Sequence, residues 1–296
     1  MVTDRILKQL DEGVVPWRKP WIACGGARSH STGKAYSFLN QILAGRPGEY
    51  ATYKQIKEEN GVVRKGEKST CVVFWKLLPI QDEECDDRVK VIPYLHYYNV
   101  FHLDQTDGVA ARFPEPELEA GFDPVEEAER VWRGYCDREG IRIQTDELTP
   151  VAYYSHNDDV VNVPALRQFE NAAEYYSTLF HELTHSTGAA SRLNRPRSKT
   201  RRFNAERRTE EYAVEELVAE IGSAVLCNRF GLISESSFQN NVAYIDSWRK
   251  RISRDRELIV LAAGRAEKAV NFILGVNEDE SSFEKETAAD EAILVD

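Results

Sequence analysis

Two histidines and a glutamate lie close enough along this chain to hold and use a metal ion. The run Leu179-Phe-His-Glu-Leu-Thr-His-Ser-Thr-Gly188 contains the pattern H-E-x-x-H. In a helix, positions i and i+4 share a face, so His181 and His185 can aim ring nitrogens at one ion. Glu182 sits beside them, where its carboxylate can take a proton from metal-bound water. A solvated surface helix could carry the same pattern, but Ala172, Ala173, Tyr176, Leu179, Phe180 and Leu183 make this one largely apolar. Gly188 fits a helix stop.

The third ligand decides the kind of site. Position 191 holds Ser191 and the only methionine is Met1, so the extended motif with a further histidine and a Met-turn is excluded. Among the remaining possibilities is a carboxylate from the next helical stretch, Thr209 to Leu226. Glu216 is the expected ligand, with Glu215 as the alternative. Glu220, one turn on, would accept the distal N–H of a ligating histidine and fix its tautomer. Glu211 reads as a solvated charge. Two histidines and one carboxylate leave a four-coordinate zinc with one open position, as in catalytic rather than structural sites. Manganese or another divalent ion would also suit these donors. Tyr212 and Arg192 are candidate donors to an oxyanion.

Helices must carry these residues. Residues 169–188, 204–230, 238–253 and 256–275 have helical spacing of apolar positions, as does Pro124 to Gly140 with Val125, Ala128, Val131, Trp132 and Cys136. Ile141 to Ile143 and Asp159 to Val163 read as strands. Upstream, Cys71 to Trp75, Val89 to Ile92 and Tyr94 to Phe101 are β-prone, with an acidic turn at Asp82 to Asp87. Ile6 to Gly13 and Tyr53 to Asn60 look helical, the second closed by Asn60-Gly61. The expected fold class is α+β: a small α+β domain over residues 1–110, a Pro- and acid-rich linker over 111–123, and a mainly helical domain over 124–296 ending in an acidic tail from Asn277.

Charge divides the chain as well. Of the net charge of −11, residues 1–76 carry +6, from thirteen Lys and Arg against seven Asp and Glu, which leaves −17 for the rest. A basic first quarter suggests work at a polyanion. Single-strand binders need cations for phosphates and aromatic faces for unpaired bases. This region interleaves both: Trp17 with Lys19, Trp21, Lys34 with Tyr36, and Tyr53 with Lys54. The turn Val63-Arg-Lys-Gly-Glu-Lys68 adds Arg64, Lys65 and Lys68. Trp75 could equally belong to a core, whereas the prolines around Trp17 and Trp21 suggest a stiff exposed loop. No double-strand recognition motif is visible.

Five scattered cysteines without a C-x-x-C pair read as free thiols in a reducing cytoplasm. Apolar runs such as Leu258 to Ala263 are too short for a membrane span, and the first twelve residues lack the apolar stretch of a signal peptide. A 42% hydrophobic, 29% charged chain of 296 residues is neither disordered nor a disulfide scaffold.

Taken together, these residues resemble the ArdC-type antirestriction proteins with their zincin-like domain. The likeness is carried by His181-Glu-Leu-Thr-His-Ser-Thr-Gly188, Ser191-Arg-Leu-Asn-Arg195 and Tyr212-Ala-Val-Glu-Glu-Leu-Val-Ala-Glu-Ile-Gly222. Upstream it is carried by Pro16-Trp-Arg-Lys-Pro-Trp21, Thr32 to Asn40, Tyr53-Lys-Gln55, Val63 to Lys68 and Tyr97 to Thr106. The resemblance implies a plasmid-encoded protein that binds single-stranded DNA through its N-terminal domain. It also implies protection of incoming DNA from host restriction during conjugation, a peptidase-type zinc site, and Glu216 as third ligand. A host restriction-system protein is a candidate substrate. Two other readings stay open: a DNA-coating protein with a non-catalytic metal site, and a regulatory protease with an incidental basic domain.

Overall fold

A computed structural model describes residues 2–18, 26–82, 85–113, 123–145, 151–195, 205–232 and 242–276. The chain separates into a larger unit, Met1–Cys24 with Glu117–Asp296, and a smaller one, Gly25–Pro116. Both helices and strands are present, as the α+β reading expects.

The chain begins with α1 (Val2–Asp11), whose Thr3, Ile6 and Leu10 form one buried stripe. Although residues 1–110 read as one domain from sequence, this first segment belongs to the larger unit. An isolated ten-residue helix is marginal in water, and its stability comes from an apolar face packed on a neighbour.

In the smaller unit, β1 (Ala27–Ser29), α2 (Phe38–Ala44), β2 (Gly48–Thr52), α3 (Tyr53–Glu58), β3 (Val62–Val63), β4 (Thr70–Asp82), β5 (Cys85–His102) and β6 (Thr106–Asp107) follow in order. One sheet has the order β1-β2-β5-β4, parallel at its first pair and antiparallel thereafter, and β3 pairs with β6. Side chains alternate across a strand. Tyr50, Val72 and Val100 accordingly join Ala27, Tyr36 and Ala44 in one cluster, whereas Ala51 joins Ile56 and Leu103 in another. A capping box formed by Thr52 and Gln55 starts α3, and Asn60, at φ 63°, turns the chain beyond it.

A buried polar knot closes this unit. His30 Nδ1 lies 2.5 Å from Glu49 and its Nε2 lies 3.0 Å from Glu59. Glu49 also accepts the backbone N–H groups of Arg112 and Phe113. Burial pushes the Glu49 carboxyl up, but His30 and these two amides outweigh it and hold it below its ordinary 4.5. A depressed folded value means that the stabilisation is complete above the unfolded value and is lost as pH falls through the folded one. Thermal unfolding scans from pH 7 to 2 should therefore show stability falling below about pH 4.5. Glu49→Gln should unfold earlier at pH 7 and show a shallower acid decline; parallel curves would contradict this role.

The larger unit continues with α4 (Pro124–Glu139), β7 (Arg142–Gln144), β8 (Tyr153–Ser155), β9 (Val160–Asn162), α5 (Ala172–Ser186), α6 (Ala205–Arg229), α7 (Val242–Arg254) and α8 (Leu258–Leu274). Asp123 caps α4 by accepting the backbone N–H groups of Val125 and Glu126, and Asn171 caps α5 by accepting that of Glu174. The sheet order is β7-β9-β8, with β8 antiparallel to β9 at one edge. Leu179, Phe180 and Leu183 of α5, Leu217, Val218 and Ile221 of α6, and the alanines of α8 are buried. The small residues of α8 let its backbone approach the helices that carry the motif. Trp17, in a 3-10 turn at Pro16–Arg18, belongs to this core, edge-on to Trp248 of α7 with ring centroids 6.3 Å apart. The acidic tail from Asn277 lies outside the described residues.

Candidate metal centre

The helix α5 carries His181 and His185 one turn apart, and α6 crosses it with Glu216 facing them. His181 Nε2 and His185 Nε2 are 3.2 Å apart. Each lies 3.7 Å from a different oxygen of Glu216. One ligand atom from each of the three residues can be chosen so that all lie within 4.8 Å of one another, the only such group among the described residues. A two-nitrogen, one-oxygen donor set with partly exposed side chains fits a divalent cation that keeps a position open to solvent.

The helix crossing depends on Gly222. A Cβ there would stand 2.7 Å from Cγ2 and 2.8 Å from Oγ1 of the buried Thr184. Gly222→Ala should cost about 1–3 kcal/mol through overpacking, checked by urea unfolding of the metal-free protein. An unchanged midpoint would show that the crossing is looser than the structure has it.

Charge at the site is shaped by burial and by the carboxylates of α6. Burial opposes the charged form of His181, but Glu216, Glu220 and Glu182 outweigh it and push the imidazole above its usual value. Glu182 is buried, and burial is the main cause that pushes its carboxyl up; the two imidazoles work against this rise and Glu216 adds to it. The backbone of Tyr154 in β8 also works against the rise. A carboxyl raised in this way sits nearer neutral pH, where a general base works best.

The structure redistributes three expected roles. The acid at His185 Nδ1 is Glu215, at 3.2 Å, and not Glu220, which lies on the same helix and acts on His181 through its charge. Glu215 is therefore not the alternative ligand either; Arg195 grips both its oxygens at 2.9 and 2.6 Å. Burial would raise the Glu215 carboxyl, but Arg195 and His185 bring it down to about 2. Arg192 cannot serve an oxyanion. Its buried guanidinium donates to the Ser186 carbonyl at 2.8 Å and to Asp159 at 2.6 Å, tying the end of α5 to the turn before β9. Tyr212, one turn before Glu216, is 60% exposed, and the Glu216 charge beside it pushes its phenol up.

Of the expected base-stacking residues, two are core. Trp17 is 0% exposed, and Tyr36 is 7% exposed within the cluster that holds Tyr50 and Phe74. Neither can offer a face to a base. Tyr53 is 55% exposed, with Lys57 Nζ 5.6 Å above its ring. Lys54, Arg64, Lys65 and Lys68 are exposed and Lys34 is half-buried. Lys19 and Trp21 lie outside the described residues. Tyr97 on β5, equally exposed, is an aromatic that sequence reasoning missed; exposed and half-buried positions alternate around it, so the period of two was the available signal.

Fold and site together define a zincin-like domain, and residues 131–265 match the family model described as a zincin-like metallopeptidase. Residues 1–101 match the model for the N-terminal domain of the anti-restriction factor ArdC. The chain belongs to the ArdC antirestriction family. It is similar to the crystal structures of antirestriction ArdC from plasmid R388. The metal-free form has 36% identity and a TM-score of 0.68, and the Mn(II)-bound form 34% and 0.69; each match covers 96% of this chain and 98% of that one. Protein y4eC of Sinorhizobium fredii is 30% identical, with 97% of this chain and 95% of that protein aligned. Two DNA primases TraC of Escherichia coli are 33% and 31% identical over 94% of this chain, which spans only 27% and 20% of their lengths. No helix among the described residues is long and apolar enough to cross a membrane.

Proposed function

We propose that this chain protects incoming plasmid DNA from host restriction during conjugation, binding single-stranded DNA and hydrolysing a protein at the His181, His185 and Glu216 centre. The observation that carries the catalytic half is the convergence of these three donors beside the buried base Glu182. A zinc ion held there supplies Lewis acidity and an activated water; manganese is the second choice. Glu182 accepts the proton of the attacking water on its carboxylate and returns it to the leaving amine. Tyr212 steadies Glu216 through its hydroxyl, and its exposed position suits a donor to the substrate carbonyl. The edge strand β8, next to Glu182, offers backbone groups to an extended peptide. A host restriction-system protein in the cytoplasm is the proposed substrate.

The DNA half rests on surface chemistry of the smaller unit: exposed Tyr53 and Tyr97 for stacking, and the exposed Lys54, Arg64, Lys65 and Lys68 with the half-buried Lys34 for phosphates. Exposed aromatics and cations on one unit favour single strands, with little sequence preference. Single-strand DNA titrations over a salt series test it. Alanine at both Lys65 and Lys68 should weaken binding and reduce the slope of log K against log salt by about 1.4, as loss of two phosphate contacts requires. Glu182→Ala should leave DNA affinity unchanged. An unaltered slope in the double variant, or lost affinity in Glu182→Ala, would defeat the two-part reading.

A further inference from the structure

The two metal-facing histidines do not stand alike. Behind His185 runs a chain of partly buried polar contacts that ends on one arginine, and the proposed chemistry makes no use of it. Arg195 lies nine residues beyond the end of α5 and is 6% exposed. Its Nε donates to Glu215 Oε2 at 2.9 Å and its Nη2 to Glu215 Oε1 at 2.6 Å, a fork on a single carboxylate. Oε1 of that carboxylate is also the partner of His185 Nδ1 at 3.2 Å.

The same guanidinium reaches the end of the metal helix. Nη2 donates to the Thr184 carbonyl at 2.8 Å, and Nη1 donates to the Thr187 hydroxyl. Carbonyls in a last helical turn lack intrahelical partners, so one planar cation caps α5 and binds it to Glu215 of α6. Gly188 keeps the path clear. A Cβ there would lie 2.9 Å from Nη2 and 3.1 Å from Cζ of Arg195. A side chain at position 188 would therefore push the guanidinium away from its carbonyl and carboxylate partners.

We infer that Arg195 is a positioning residue of the metal centre: it locks the Glu215 carboxylate against Nδ1 of His185, which fixes the tautomer and ring direction that leave Nε2 for the cation. This inference rests on the metal reading above. With Nδ1–H committed to a carboxylate, Nε2 is the unprotonated nitrogen that a cation needs. Without the fork, Glu215 retains its charge but loses its fixed direction, and the imidazole loses its second anchor. Lysine cannot replace this grip, because a single ammonium does not match both carboxylate oxygens.

Cobalt(II) titrations followed by visible absorption, paired with thermal unfolding of the metal-free proteins, test this on the full chain. Arg195→Ala and Glu215→Ala should each weaken Co2+ binding about 10- to 100-fold, the usual effect of losing a ligand's hydrogen-bonded support. The double variant should lose no more than the weaker-binding single variant, since both act through one contact. Arg195→Lys should stay at least about tenfold weaker than the parent, and it serves alone if the alanine variant does not fold. Wild-type affinity in Arg195→Lys or Arg195→Ala, whatever the unfolding temperature, would overturn the inference and leave the metal reading standing. Multiplicative losses in the double variant would also overturn it. A parent protein whose Co2+ binding is absent, or is unaffected by His181→Ala, would overturn the metal reading and this inference with it.

Discussion

Glu216→Ala should abolish tight divalent-metal binding while the protein stays folded. Glu216 supplies the only anionic donor of the three, and its half-buried side chain faces two imidazoles 3.7 Å away and not the apolar core. Binding free energies of protein metal sites are on the order of 10 kcal/mol, so one charged donor in three carries several of them. Affinity for Zn2+ and Mn2+ should fall on the order of a thousandfold. Calorimetric titration of both metals into wild type and variant measures this. The variant also removes a charge that favours the imidazolium of His181 and raises Glu182. Its imidazole should titrate at lower pH in the metal-free protein, which histidine NMR resonances would show. A variant that keeps wild-type metal affinity would place the third donor elsewhere.

Glu182→Gln has the second large effect, and it separates chemistry from assembly. The amide keeps the size of the side chain but cannot take a proton, so peptide-bond hydrolysis should drop by about 10²- to 10⁴-fold. Bound metal and single-strand DNA affinity should not change, because the Glu182 carboxylate is outside the trio and lies in the larger unit. Proteomic comparison of newly formed protein N-termini in host cells expressing either form reads the activity without a prior choice of substrate. Cleavage products present with wild type and absent with the variant are the expected result. Identical sets would favour the reading in which the chain coats DNA and its metal site is not catalytic.

The parts of this molecule visible in its sequence are those governed by short-range periodicity. The i, i+4 pair His181 and His185 and the carboxylate row of α6 follow from helix geometry alone, so the trio was legible once the next helix was recognised. The supports around it were not. Glu215 and Glu220 both lie near Glu216 in sequence, and only the crossing of α5 and α6, set by Gly222 against Thr184, selects which carboxylate meets His185. Arg195 approaches from a segment with no periodic signal. The strand β8 is three residues long and was missed, because so short a run has no resolvable alternation.

In the smaller unit, the long hairpin partners were readable from β-branched and aromatic runs, whereas β1 and β2, a parallel pair made across α2, were not. The misplaced aromatics have a common cause. Prolines beside Trp17 suggested exposure, but Pro16 opens a 3-10 turn that places the indole against Trp248. Tyr36 looked like a partner for Lys34 until the sheet placed it among Tyr50 and Phe74. Tertiary burial is not encoded in a residue's immediate neighbours, and a stacking face differs from a core face only by what covers it.

The central claim is that one divalent cation sits among His181, His185 and Glu216 with a coordination position left free of protein. Anomalous diffraction from crystals of the zinc-loaded protein, with data on both sides of the zinc edge, tests it most directly. A single strong peak is expected within bonding distance of His181 Nε2, His185 Nε2 and a Glu216 oxygen, with Glu215 still on Arg195 and only solvent at the remaining position. A peak elsewhere in the chain, or one closed off by a fourth protein side chain, would contradict it.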